Sequence, residues 1–141
     1  MQKVMVFGSF DILHKGHEKF FKQAHKFGDF LLVCLARDST IKKVKKNDPI
    51  FPEKERLSNL KKTGWADKVI LGDKKNYFKP ILNFKPQVIC LGYDQFFFIK
   101  ELEEEIKKKG LKIKVVRLTS FKPHLYKSSL LRKKYVRHQI Y

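Results

Sequence analysis

The sequence predicts one α/β domain built on a five-stranded parallel sheet. Five short apolar runs alternate with longer stretches of helical periodicity, as in consecutive βαβ units. The runs are almost continuously apolar, which is typical of strands that are buried on both faces of a sheet. A chain of 141 residues fits one domain, and the sequence shows neither a repeat nor a linker, so residues 1–141 are predicted to fold as a single unit.

The strands are predicted where the apolar runs fall: Val4–Phe7, Phe30–Ala36, Lys68–Leu71, Val88–Leu91 and Lys112–Val116. The first helix is predicted to lie between the first two strands, over His17–Phe27. Gly28 follows it directly and is predicted to be its C-cap, because glycine readily adopts the left-handed conformation that ends many helices.

Two further helices follow from their terminal residues. One is predicted to begin near Pro52, whose backbone is preorganised for a first helical turn, with Glu53 and Glu55 placed favourably for the helix dipole. The other covers residues 101–110, which are acidic at the start and basic before Gly110.

Two segments receive no place in the predicted core. Residues 37–51 contain lysines 42, 43, 45 and 46 and are expected to form a mobile connection after the second strand. The tail from Phe121 onward has no acidic residue, and a terminal helix is predicted around 128–138. In a doubly wound sheet both segments would lie at the carboxyl end, where ligands bind.

The composition limits the class of protein. The formal charge is +18, but 43% of the residues are hydrophobic, so the chain is expected to fold rather than to remain a disordered polycation. The charge predicts an anionic partner, which could be nucleic acid, a membrane surface or a small phosphorylated substrate. No apolar run approaches the roughly 20 residues that span a bilayer, and no signal-peptide pattern is visible, so a soluble cytoplasmic protein is expected.

The two cysteines are predicted to be reduced and buried. Cys34 and Cys90 both lie inside apolar runs, and neither has the neighbouring cysteine or histidine that a structural zinc site requires.

The segment between the first strand and the first helix carries the chemistry. It reads G-S-F-D-I-L-H-K-G-H over residues 8–17 and matches neither a Gly-rich dinucleotide loop nor a Walker loop. Gly8 is expected to let the backbone approach a ligand, and Ser9 offers a hydroxyl. His14 and His17 are three residues apart at the helix start, beside N–H groups that attract phosphate. Two imidazoles there could stabilise the charge on phosphoryl oxygens during an in-line displacement.

Other roles are possible for the histidines. The pair could be structural or could bind a metal, although two ligands without a third make a poor zinc site. The remaining three histidines lack such a context and are predicted to be surface residues: His25, His124 and His138.

The segment resembles the G-x-F-D-x-x-H-x-G-H signature of the HxGH nucleotidyltransferase superfamily, in its cytidylyltransferase-like branch. The resemblance continues along the chain, in A-R-D-S-T, P-I-F-P-E-K-E-R, L-G-Y-D-Q and Y-K-S-S-L-L. It implies a Rossmann-like three-layer sandwich of the HUP type. It also implies that a substrate phosphate attacks the α-phosphorus of a nucleoside triphosphate and releases pyrophosphate.

Within this branch, the motifs are more similar to those of archaeal-type FAD synthases than to those of glycerol-3-phosphate cytidylyltransferases. The former transfer AMP from ATP to FMN, with Mg²⁺ or another divalent cation; the latter use CTP and glycerol 3-phosphate. Gly64 stands where the glycerol-phosphate enzymes carry an arginine. A homodimer is also possible by analogy. The rival class is a basic nucleic-acid-binding module with an idle nucleotide site, although no RNA-binding signature is visible.

The resemblance assigns site residues by position. The implied nucleotide-binding residues are Gly8, Ser9, Phe10, His14, Lys15, Gly16, His17, Gly92, Asp94, Tyr126, Ser128 and Ser129. The implied catalytic residues are His14, His17 and Lys46, with Lys45 as the other lysine that could close over the triphosphate. No metal ligand is assigned.

Three positions keep two interpretations. Arg56 is either a phosphate-side residue or a solvated helix residue. Asp94 could accept from the ribose or base, coordinate magnesium, or cap a turn. The aromatic run 96–98 could stack on an isoalloxazine ring, or belong to the core or a subunit contact.

Overall fold

The computed structural model describes residues 1–93, 95 and 97–119, and in this part of the chain strands alternate with helices. The strands are β1 (Lys3–Gly8), β2 (Phe30–Leu35), β3 (Lys68–Leu71), β4 (Val88–Leu91) and β5 (Lys114–Arg117). The helices are α1 (Lys15–His25), α2 (Asp38–Lys45), α3 (Glu53–Thr63), α4 (Lys79–Phe84) and α5 (Ile99–Lys108). The predicted alternation of strands and helices is therefore confirmed.

The five strands form one parallel sheet in the order β3-β2-β1-β4-β5. The chain first builds outward from β1 through β2 to β3, and then returns to the other side of β1 for β4 and β5. The direction of winding thus changes between β1 and β4. In open parallel sheets this switch point opens a crevice at the carboxyl ends of the strands, where ligands bind.

Both faces of the sheet are covered, as the apolar runs predicted. Successive side chains of a strand point to opposite faces. Val4 and Val6 accordingly belong to the core that holds Phe21 of α1 and Leu60 of α3. Met5 belongs to the opposite core. That second core also holds Ile81 of α4 and Leu102 of α5, so the helices make an outer layer on each side.

The cysteines behave as predicted. Cys34 and Cys90 are free and buried at the ends of β2 and β4. Burial raises the pKa of Cys34 to about 12 and that of Cys90 to about 11, so both remain thiols near neutral pH.

Two helices differ from the predictions. Residues 38–45 form α2 instead of a mobile connection, because its first turn is tied to α3: the Asp38 amide donates to Glu53 Oε1 at 3.0 Å, and the Glu53 amide donates to Asp38 Oδ2 at 3.2 Å. The six-residue α4 was not predicted at all. Pro80 at its start and Ile81 are both buried against the sheet.

Gly28 does not cap α1. The helix ends at Lys26 in a right-handed conformation, and Gly28 is not among the residues with positive φ. A Cβ atom at Gly28 would instead lie 2.6 Å from the Gln2 carbonyl oxygen and 2.7 Å from Val4 Cγ2. Glycine is required there because the chain passes directly against the start of β1.

The remaining helix predictions hold within two residues. Pro52 is the N-cap of α3, and Gly110 follows α5 with a φ of +62°. Helix α5 begins at Ile99, two residues before the predicted start. In the described residues, no helix is long and apolar enough to cross a membrane. The predicted terminal helix over 128–138 lies outside the described residues.

Candidate active site

A cavity of about 830 Å³ opens at the carboxyl ends of the central strands. Its floor is formed by the ends of β1 and β2, at Gly8 and Leu35, and by Gly92 after β4. The start of α1 lines one side and α2 lines another. The cavity therefore occupies the crevice that the change of winding direction creates, and its volume lies in the range of small-molecule sites.

His14 and His17 form a stacked pair at the start of α1. Their ring centroids are 3.8 Å apart and the ring planes differ by 25°. His14 is the N-cap residue: its Nδ1 accepts a hydrogen bond from the Gly16 amide at 3.0 Å. His17 reaches back, and its Nδ1 accepts from the His14 amide at 3.3 Å. Each ring is thus fixed by a backbone group, and α1 begins two residues earlier than predicted because His14 caps it.

These hydrogen bonds determine the tautomers. A neutral imidazole carries one proton, and each Nδ1 acts as an acceptor, so the proton lies on Nε2 in both rings. Burial lowers the pKa of His14 from 6.5 to about 4. Burial, together with the charges of neighbouring His14 and Lys45, lowers the pKa of His17 to about 3. At neutral pH both rings are therefore uncharged and each carries an N–H at Nε2, of which that of His14 is buried.

The Phe10 ring packs against the ring of His17. Its ring makes an edge contact with that of His17 at 5.3 Å between centroids, and the residue is buried with a φ of +44°. Because of this turn, a Cβ atom at Gly8 would lie only 2.7 Å from Phe10 Cε2. The position of a Gly8 side chain is therefore occupied by the Phe10 ring, while Gly8 itself lines the cavity and its role in binding a ligand stays a prediction. Phe10 still lines the cavity.

Asp11 ties the site to the segment before α3. Its carboxylate accepts hydrogen bonds from the Ile50 amide at 2.7 Å and the Phe51 amide at 2.8 Å. Sequence reasoning assigned it no role, although it lies inside the G-S-F-D motif. A carboxylate that accepts two backbone N–H groups fixes the course of the loop that closes one side of the cavity.

Among the described lysines, Lys45 is the one that lines the cavity. Its Nζ donates to Ser9 Oγ at 3.1 Å, and its side chain lines the cavity. Lys46 was expected to close over the triphosphate, but it is the C-cap of α2 with a φ of 58° and does not line the cavity. Of the two candidates, the geometry favours Lys45. Lys15 is exposed on the first turn of α1, and Gly16 lines the cavity beside the histidines.

Arg56 is fully buried and does not line the cavity, so its interpretation as a solvated residue is wrong. The guanidinium donates to the Ser9 carbonyl at 2.9 Å, to the Phe51 carbonyl at 3.0 Å and to Asp38 Oδ1 at 2.8 Å. These partners belong to three segments: the loop after β1, the segment before α3, and the start of α2. Arg56 therefore holds together the elements that carry Ser9 and Lys45.

A second arginine organises the loop after β4. Arg117 at the end of β5 donates to the carbonyl oxygens of Gly92 at 2.8 Å and Gln95 at 2.9 Å. The Gln95 side chain in turn accepts from the Gly92 amide at 3.2 Å and donates to the Phe7 carbonyl, also at 3.2 Å. The L-G-Y-D-Q loop is thus anchored to both β1 and β5. Sequence reasoning missed Arg117 because nothing in its neighbourhood distinguishes it from other strand-end cations.

Several predicted site residues lie outside the described residues, and their roles stay predictions: Asp94, Tyr126, Ser128 and Ser129, together with Phe96, His124 and His138. Of the other histidines, His25 is half-buried rather than on the surface, and its Nε2 lies 3.1 Å from the Trp65 carbonyl oxygen.

Within the described part of the chain, no three carboxylate, histidine or cysteine side chains are grouped so that they could hold a metal ion. Asp11 and Asp73, which both line the cavity, already accept hydrogen bonds from backbone amides. Asp94, the candidate magnesium ligand named from the sequence, lies outside the described residues, so this role stays a prediction.

The family model described as cytidylyltransferase-like matches residues 5–134. Curated relatives named FAD synthase are similar over most of the chain. The protein from Archaeoglobus profundus is 44% identical over 92% of this chain and 82% of its own length. The protein from Methanosarcina acetivorans is 47% identical over 84% of this chain and 77% of its own. The one from Thermoplasma volcanium is 42% identical over 95% of this chain and 94% of its own.

Two solved structures are similar in fold. A crystal structure from Thermoplasma volcanium, named a lipopolysaccharide core biosynthesis protein, has a TM-score of 0.80 and 41% identity, covering 86% of this chain and 98% of that one. A pantothenate synthetase from Thermus thermophilus shares the fold alone, with a TM-score of 0.61 and 14% identity over 95% of this chain and 64% of that one. The chain belongs to the cytidylyltransferase-like family of nucleotidyltransferases.

Proposed function

We propose that the protein is an FAD synthase, which transfers AMP from ATP to FMN and releases pyrophosphate. The observation that carries the proposal is the stacked pair of His14 and His17 at the start of α1, inside the cavity at the switch point of the sheet. The curated relatives named FAD synthase, at 42–47% identity in the three comparisons above, support FMN as the acceptor.

The geometry suits phosphoryl transfer without a covalent intermediate. An oxygen of the FMN phosphate attacks the α-phosphorus of ATP, and the bond from that phosphorus to the bridging oxygen of pyrophosphate breaks. The nucleophile is already an anion, so no general base is needed. The protein has to position the two substrates and stabilise the negative charge on the phosphoryl oxygens.

Neutral histidines fit this role. With a proton on each Nε2 and pKa values of about 4 and 3, they donate hydrogen bonds at neutral pH and do not act as acids. The centroid distance of 3.8 Å allows both rings to contact the same phosphate. Lys45 would supply the positive charge on the side of α2, moving from Ser9 Oγ to the phosphates.

Magnesium would enter as the Mg²⁺–ATP complex, since Mg²⁺ is usually held by substrate phosphates together with one or two carboxylates. The cytoplasmic location and a homodimer stay predictions. Sedimentation of the purified protein tests whether it forms a homodimer.

A product assay tests the function. The purified protein is incubated with Mg²⁺ and each combination of ATP or CTP with FMN or glycerol 3-phosphate, and the products are separated by chromatography. We expect FAD and pyrophosphate from ATP and FMN. Product from CTP and glycerol 3-phosphate alone would replace the proposal with a cytidylyltransferase. Steeply salt-dependent oligonucleotide binding with no product would favour the nucleic-acid-binding module.

A further inference from the structure

Three aromatic side chains form one wall of the cavity, away from the histidines. Tyr77, from the loop before α4, contacts Phe97 and Phe98, which precede α5, and we call these three the aromatic shelf. The Tyr77 ring meets Phe97 edge-on at 5.8 Å between centroids and Phe98 at 5.3 Å. Phe97 and Phe98 are 6.4 Å apart. All three residues line the cavity.

The shelf is anchored on one side and open on the other. Phe98 packs edge-on against Phe78 at 5.3 Å, and Phe78 is part of the buried core between the sheet and α4 and α5. Phe97, in contrast, is 46% exposed although its side chain is entirely apolar. A planar guest that covers Phe97 would remove this apolar surface from water without moving the anchored rings.

The two ends of the cavity differ in chemistry. Beside the shelf, Pro80, Ile99 and Leu102 provide apolar lining, and the charged lining residue nearest in sequence to Tyr77 is Asp73, whose carboxylate accepts from the Asn76 amide. At the other end stand the N–H donors of the histidine pair and the ammonium group of Lys45. The cavity therefore matches a molecule with a flat, uncharged ring system at one end and a phosphate at the other.

We infer that the aromatic shelf binds the isoalloxazine ring of FMN and that the shelf selects a flavin over smaller phosphorylated acceptors. The inference rests on the proposed function, since it names where the acceptor of that reaction lies. With the ring on the shelf, the ribityl chain crosses the cavity and brings the phosphate towards the histidine pair, which lines the same cavity.

Adenine, the other flat ring in the reaction, is expected at a different place in this fold. The nucleoside of ATP belongs in the crevice between β1 and β4, beside the loop that starts at Gly92. Phe97 and Phe98 follow that same loop, whereas Tyr77 comes from the connection after β3, on the opposite side of β1 from β4, so the shelf extends away from this crevice. The planes of Tyr77 and Phe97 differ by 72°, so a flat ring system that stacks on Phe97 meets Tyr77 edge-on and contacts two faces of the shelf at once.

Direct flavin binding tests the inference. FMN is titrated with protein in the absence of ATP, and binding is followed by the quenching of flavin fluorescence. Phe97→Ala is the first variant, because Phe97 is 46% exposed and its truncation removes little core packing. Phe97→Leu keeps an apolar side chain without the ring. Tyr77→Ala removes a second ring of the shelf. Leu82→Ala is the matched control, since Leu82 is similarly exposed on α4 but does not line the cavity.

We expect the Kd for FMN to rise at least about tenfold in Phe97→Ala and Tyr77→Ala, with a smaller rise in Phe97→Leu and no change in Leu82→Ala. The KM for ATP should stay within about twofold, and the affinity for ribose 5-phosphate, which has no flavin ring, should not change. A rise in the KM for ATP with an unchanged Kd for FMN would place adenine on the shelf and overturn the inference. Unchanged affinity for both substrates would overturn it as well.

The titration also separates this inference from the proposed function. It requires no turnover, so a wild-type protein that binds FMN through Phe97 but makes no FAD would uphold the shelf and reject the reaction. A wild-type protein that makes FAD but whose Phe97→Ala variant binds FMN normally would uphold the reaction and reject the shelf.

Discussion

Replacing Arg56 by methionine should destabilise the fold and the site together. The guanidinium is 0% exposed and donates to two backbone carbonyls and one carboxylate. Methionine fills much of the space but donates nothing, so the carbonyls of Ser9 and Phe51 lose their partner. An unsatisfied buried acceptor costs about 1–3 kcal/mol. The side chain of Asp38 is 41% exposed and regains water, so it adds little.

The two carbonyls together give a loss of about 3 kcal/mol in the free energy of unfolding. For a chain of this length, the loss corresponds to a fall in Tm of about 10 °C. Urea unfolding followed by circular dichroism measures the first quantity, and calorimetry the second. Lys54→Met is the matched control, since Lys54 is exposed on the same helix. If Arg56→Met unfolds at the same urea concentration as Lys54→Met, Arg56 does not hold the three segments together.

Three further predictions follow from single contacts. Lys45→Met should raise the KM for ATP about tenfold or more in a steady-state assay, because a charged donor to the phosphates is lost. Lys46→Met is the control and should change this KM less than about twofold. Gly28→Ala should lower the free energy of unfolding by about 1–3 kcal/mol in urea, because the new Cβ would meet the Gln2 carbonyl; an unchanged midpoint would contradict this close approach. In the unfolded chain, His14 and His17 take up protons below a pH of about 6.5, whereas in the folded protein their pKa values are about 4 and 3. The unfolded state therefore binds more protons at pH 5 than the folded state, so the free energy of unfolding should fall as the pH falls from 7 to 5. The fall should be smaller in His17→Gln, measured by urea midpoints at both pH values.

The sheet was predictable because its signal is local. Each of the five strands is a short apolar run, and the two cores on its faces follow from burial of such runs. The histidine pair was found for the same reason, since a spacing of three residues at a helix start places two rings together. What the spacing could not show is that each Nδ1 accepts from the backbone, which fixes the proton on Nε2.

Long-range contacts account for most of the differences. The basic segment of α2 resembles a loop in isolation, and it becomes a helix because Asp38 and Glu53, 15 residues apart, exchange hydrogen bonds. Arg56 looks like any helix cation, because its partner Ser9 lies 47 residues away. Gly28 follows a helix, so it resembles a C-cap, while the atoms that require glycine there belong to the start of the chain and to β1. Local patterns do not contain these partners.

The rate of a single turnover tests the central claim most directly. Excess protein, saturated with Mg²⁺ and ATP, is mixed with FMN, and FAD formation is followed by rapid quenching for the wild type and for His17→Ala. If two neutral N–H donors stabilise the phosphoryl charge, removing one should slow the transfer by about a hundredfold or more, with the affinity for FMN retained. FAD formed at the wild-type rate by His17→Ala would contradict the role of the histidine pair.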